Sequence, residues 1–287
     1  MRKWNLVPLA LLGAALLLPA QTAPAPEAET RAIIQTALDY GDGFYSGDAA
    51  RMERAIHPDL NKVLPFAFPG TGKIILDFST FSGLVEMSRA KVGWLEPAKR
   101  KTRVAVLEIK DDMACARLTS AMYNDYLAMA KFDGKWKIVN VLWTLGPDAP
   151  NRPAAPAFDL EKEREAIKVA TLAFFQGRYA GDVARVQNAV HPELKMAQLS
   201  VLPQTDKVMV ARLGWSLLAE VVRSKAGLTS EDKRKAEVRV LDGMDGLAFA
   251  VGETPASSNY FQLALIEGQW KIINILSKAQ TSPPGKG

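Results

Sequence analysis

The sequence is poor in the residues that most chemistry-bearing signatures need. It has one cysteine, Cys115, in 287 residues, so no intrachain disulfide framework and no cysteine-based zinc site can form. It has two histidines, His57 and His191, too far apart in the chain for a multi-histidine metal centre within one domain. No second ligand lies at a diagnostic spacing from either, so no metal is expected. There is no Gly-rich phosphate loop and no Gly-x-Ser-x-Gly elbow. A concentrated basic stripe of the nucleic-acid-binding kind is also missing. The charge balance is 36 basic against 31 acidic residues, or +5.

What remains is ordinary globular composition, 48% hydrophobic and 23% charged. The length suggests about two domains. The start, Met1-Arg2-Lys3 followed by apolar Leu6 to Leu18, is too short to span a bilayer comfortably and fits a secretory signal over residues 1–20. An exported, periplasmic or secreted protein is therefore expected, with no membrane span after cleavage. Without Arg2 and Lys3 the balance is 34 against 31, or +3. Residues 21–28 read as a linker, 146–158 (GPDAPNRPAAPAF, four prolines) as a second, and 280–287 as a disordered tail.

The rest of the chain is one unit written twice. YSGDAARMERAIHPDL at 45–60 matches YAGDVARVQNAVHPEL at 179–194, and GKWKIVNVL at 134–142 matches GQWKIINIL at 268–276. The step is 134 residues throughout, and about 39 of 111 aligned positions are identical without a gap. The expected domains are 29–145 and 159–279. Each copy reads as two helices, a hairpin, a third helix and three further strands, in the order α-α-β-β-α-β-β-β. Helices gathered before an antiparallel meander indicate an α+β fold with a curved sheet.

The set Tyr-x-Gly-Asp…His-Pro-Asp/Glu-Leu, Glu-x-x-Arg-x-Lys-x-Gly and Gly-x-Trp-Lys-Ile-Val/Ile-Asn resembles the putative lumazine-binding family of the nuclear transport factor 2-like superfamily. The likeness covers both copies. It implies two tandem cone-shaped, cystatin-like α+β domains, each a mainly antiparallel curved sheet packed on N-terminal helices around a pocket. It does not fix function, because the superfamily holds binders, dimerising modules and enzymes of the isomerase and cyclase kind.

Six residues are candidates for contact with a ligand. On the last strand of each copy, period-two alternation puts Asn140 with Trp136, Ile138 and Leu142, and Asn274 with Trp270, Ile272 and Leu276. If Lys137 faces water these amides face inward, either toward a ligand or bonded to backbone. The same logic turns Tyr126 and Tyr260 inward beside small residues. His57 and His191 close a short helix, where each either bonds the last carbonyls or faces a ligand. By this alternation Asp125 faces outward and becomes Asn259 in the second copy, so no carboxylate is both repeated and inward. No catalytic residue and no cofactor are assigned. Trp143 suits an outward sheet face, and Ser277 replaces it.

The leading expectation is a non-catalytic binder of a small hydrophobic or heteroaromatic ligand. The alternative is an interaction module in which the sheet faces pack on each other or on a protein partner and the pockets are vestigial. An enzyme is the weakest reading. Two copies on one chain can replace a homodimer, so a monomer is favoured and a homodimer left open.

Overall fold

The computed structural model describes residues 26–150, 152–153 and 158–280. The expected signal segment and the tail beyond residue 280 lie outside them. Helix α1 (Pro26–Ser46) ends at Gly47, whose φ of 71° takes the left-handed conformation that glycine adopts without strain. Asp48 caps α2 (Ala49–Ala55) by accepting from the Arg51 amide. The chain continues through β1 (Ile56–Ala67), β2 (Ile74–Ser79), α3 (Phe81–Arg89), the single turn α4 (Pro97–Arg100), β3 (Arg103–Lys110), β4 (Met113–Thr119), β5 (Tyr123–Phe132) and β6 (Lys135–Leu145).

The second unit repeats this order: α5 (Leu160–Ala180), α6 (Val183–Ala189), β7 (Val190–Val201), β8 (Val208–Gly214), α7 (Trp215–Arg223), a 3-10 turn (Glu231–Lys233), β9 (Glu237–Met244), β10 (Leu247–Thr254), β11 (Ser257–Ile266) and β12 (Gln269–Ala279).

Each unit is thus α+β with six strands rather than five. The middle one of the three further strands expected after the third helix, 113–132, breaks at residues 120–122. There the Ser120 hydroxyl bonds the backbone of Tyr123, and Tyr45 donates or accepts at Ser120 (2.7 Å). The sheet orders are β2-β1-β6-β5-β4-β3 and β8-β7-β12-β11-β10-β9. All neighbours run antiparallel except β1 with β6 and β7 with β12.

One face of each sheet packs on its own helices. In the first unit this core includes Ile33, Ile56, Leu127, Met129, Ile138 and Val141. The opposite faces of the two sheets cover each other. Val63, Cys115, Tyr126 and Leu142 of the first unit share one continuous apolar core with Phe249, Val251, Tyr260 and Leu276 of the second. Ion pairs flank it: Arg117–Asp242 at 2.7 Å, Arg239–Glu108 at 2.6 Å and Lys110–Glu253 at 2.5 Å. The described residues therefore form three apolar cores, one per unit and one between them.

A β-bulge decides what β6 presents to each side. Ala128 pairs with Asn140, but Met129 pairs with Ile138, so Val139 is the extra residue. Ile273 is the extra residue at the same place in β12. Trp136 and Ile138 face the helices, while Asn140 and Leu142 face the other sheet.

Candidate functional site

The first unit encloses a cavity of about 220 Å³ between α1, α3 and the helix-facing side of its sheet. At its polar end three strands and a helix bring together a buried cluster. Lys62 on β1 donates from Nζ to Asp125 Oδ1 on β5 (2.8 Å) and to the Tyr40 hydroxyl on α1 (2.5 Å). Tyr40 donates in turn to Asp125 Oδ1 (2.9 Å). Nζ also lies 4.4 Å from the centroid of the Trp143 ring, within cation–π range. The three polar residues are 7%, 1% and 5% exposed. Burial pulls the Lys62 amine below its ordinary value, opposed by the Asp125 charge. Burial and that same charge push the Tyr40 phenol well up. Among the described residues nothing bonds Asp125 Oδ2.

The other wall is aromatic. Tyr123 stacks on Tyr45 at 6.0 Å and meets Phe44 and Trp143 edge-on at 5.7 and 5.4 Å. The Trp143 indole N–H is buried in this wall without a partner among the described residues, an unmet donor. The cavity thus offers flat apolar walls and one charge-balanced polar end.

The second unit has lost each of these features together. Phe174, Met196 and Asn259 stand where the first has Tyr40, Lys62 and Asp125. Phe174, Phe175 and Phe261 pack edge-to-face there, with centroids 5.5 to 5.6 Å apart. The exchange is reciprocal: Gly41 faces Leu118 in the first unit, and Phe175 faces Gly252 in the second. A Cβ on Gly252 would meet the Phe175 ring at 2.5 Å.

The six residues singled out from sequence lie elsewhere. Tyr126, Tyr260, Asn140 and Asn274 are buried between the two sheets, not in the cavity. Alternation fixes which residues share a face but not what covers that face, and both faces here are covered. Asn140 donates to Ile275 O (3.2 Å) and accepts from Arg212 (2.6 Å); Asn274 donates to Gln262 (2.8 Å). The amides are thus bonded within the protein. His57 and His191 are not at helix ends but second in β1 and β7, and each Nδ1 accepts from the amide two residues on (3.1 Å). That bond requires a neutral ring, and burial lowers both imidazoles. Asp125 and Trp143, read as outward, both line the cavity.

Sequence reasoning missed Tyr40, Lys62 and Asp125. The available signal was the comparison of the two copies, in which Tyr→Phe, Lys→Met and Asp→Asn remove ionisable groups at nearly constant size. Among the described residues no cluster of three or more His, Cys, Asp or Glu could hold a metal. No helix there is long and apolar enough to cross a membrane.

A duplicated α+β domain with one open and one filled cavity is the class defined by this geometry. The family model described as putative lumazine-binding matches residues 28–144 and again 162–276. The chain belongs to that family and carries its domain twice. No curated protein matches. Among solved structures it is similar to a nuclear transport factor 2-like protein of unknown function from Silicibacter pomeroyi DSS-3. That match has 16% identity and a TM-score of 0.34, and covers 42% of this chain and 99% of that one. One from Shewanella baltica OS155 gives 15%, 0.34, 44% and 99%. A cystatin-like protein of unknown function from Nostoc punctiforme PCC 73102 gives 12%, 0.33, 43% and 95%.

Proposed function

We propose that this is an exported, non-catalytic small-molecule-binding protein with one ligand site per chain, in the first unit. The observation that carries the reading is the asymmetry of the pair. One copy keeps a cavity with a satisfied ionic end, and the other fills the same space with phenylalanine. Lys62 and Asp125 balance each other at the buried end, and Asp77 adds a carboxylate at the exposed mouth, so an uncharged ligand suits the buried end and an anion is disfavoured. The Tyr123 and Trp143 rings suit a flat heteroaromatic. The volume equals about seven waters at ~30 Å³ each, room for a compact fused ring system rather than a drug-sized molecule. Lumazine, named in the family description, is of that kind and is the first probe to use.

Calorimetric titration with lumazine and related uncharged bicyclic heteroaromatics tests the reading. One site per chain, lost in Lys62→Met, supports it; binding unaffected by Lys62→Met or Trp143→Ser rejects it. The second unit acts as a structural partner, and the chain is a monomer because each sheet face already covers the other. An acid–base enzyme remains as a second reading, because the Asp125 carboxylate with its unbonded Oδ2 borders the cavity. Turnover lost in Asp125→Asn with binding retained would favour it.

A further inference from the structure

The Lys62–Asp125 contact reaches across a strand. β1 and β5 are not neighbours; β6 lies between them. The 2.8 Å bond on the cavity face therefore fixes the width of a three-strand strip. The reverse face of the same strip carries a second bridge, made by the other unit. Asn61, next to Lys62, donates to Asn274 Oδ1 (2.8 Å). Asn274 donates to Gln262 Oε1 (2.8 Å). Gln262 donates to the backbone carbonyl of Tyr126, next to Asp125 (2.7 Å). This amide chain thus spans the same two strands, one residue along from each member of the ion pair.

The strand between is held as well. The bulge at Val139 leaves its carbonyl outside the regular ladder, and Arg212 Nη2 donates to it (3.0 Å) while Nη1 bonds Asn140 Oδ1. Gln262 stands where the first unit has Ala128, and Arg212 where it has Phe78, so these two contacts have no counterpart reaching from the open unit to the filled one. Asn274 and Gln262 are fully buried, Asn61 is half-buried, and all three are hydrogen-bonded, which makes the chain costly to open.

We infer that Asn274 and Gln262 of the second unit are positioning residues for the first unit's cavity, setting the spacing of β1 and β5 that holds Lys62 against Asp125. The functional consequence rests on the proposed binding site, but the geometry is testable without any ligand. The filled unit is then a back plate that the open unit's site needs, which gives a physical reason for two copies on one chain.

The test is the acetylation rate of Lys62 by acetic anhydride in the full-length protein, followed by peptide mass spectrometry, with Lys99 as exposed reference. In the parent protein Lys62 reacts far more slowly than Lys99, whose side chain is 67% exposed. Gln262→Met and Asn61→Ala cut the amide chain at opposite ends, so one remains informative if the other fails to fold. Each should raise the Lys62 rate about tenfold or more, with no dependence on sub-denaturing urea, the mark of local rather than global opening. Lys110→Met breaks the interface ion pair to Glu253 on edge strand β3, separated from the strip by β4, and should leave the rate within about twofold. A parent-like Lys62 rate in folded Gln262→Met and Asn61→Ala would overturn the inference, as would an equal rise in Lys110→Met. Ligand titration of the same variants is scored separately, so failure of the bridge and failure of the binding site are distinguishable.

Discussion

Lys62 and Asp125 are charges taken out of water, and such a pair is held only while both members are present. Asp125→Asn should destabilise the protein by about 3–5 kcal/mol in urea unfolding, because an uncompensated ammonium is left buried. The second unit shows the remedy, with Met196 and Asn259 at the same positions. Lys62→Met combined with Asp125→Asn should recover most of the loss, since apolar replacement of a buried pair is often neutral or better. A double variant no more stable than Asp125→Asn alone would contradict this. The pair is thus retained at a site where packing alone could have stabilised the fold, which favours a role toward a ligand.

His57 and His191 act on stability instead. Burial lowers both below the ordinary imidazole value. The unfolded chain therefore binds more protons between that value, ~6.5, and each folded value, so stability falls as pH drops through this window. His57→Asn with His191→Asn keeps a side-chain acceptor for the amide two residues on. It should flatten the slope between pH 7 and 5 in urea-unfolding midpoints. An unchanged slope would show that other groups carry it.

At the scale of elements, the lesson lies in bulges and in what covers a face. The duplication, the α+β order and the Gly-Asp helix junctions were legible, because glycine and aspartate act locally. The orientation of Asn140 was not legible. One extra residue, Val139, resets the alternation, and nothing in GKWKIVNVL marks it. Tyr126 was assigned an inward face, but the side covered by its own helices begins at Asp125 and Leu127. Lys131, which alternation puts on the face opposite Tyr126, reaches back to Glu29 on α1 (2.7 Å) and does not mark a solvent face.

The reciprocal exchange of Gly41 and Leu118 for Phe175 and Gly252 gives an element-level test. Gly41→Phe with Leu118→Gly should fill the first cavity, abolishing heteroaromatic binding while far-ultraviolet circular dichroism stays unchanged. Phe175→Ala should empty the second and cost about 3–5 kcal/mol, the usual range for a buried ring. A cost below about 1 kcal/mol would mean the second unit is loosely packed.

For the whole molecule, the shared apolar core makes the two units one folding body. Fluorescence and circular dichroism should report a single coincident urea transition; two separated transitions would mean that the interface contributes little. The fold alone leaves function open. The cavity cluster is not visible in one copy alone, because its residues come from α1, β1, β5 and β6 and no short motif contains them; the comparison of the two copies exposes it.

The central claim is one ligand site per chain, in the first unit. Native mass spectrometry of the protein isolated from its native cells addresses it most directly. The expected result is a monomer trimmed near residue 20 that carries one small-molecule mass, absent from Gly41→Phe/Leu118→Gly prepared in the same way. A bare parent chain, two bound masses, or a mass that survives the filled cavity would contradict the account.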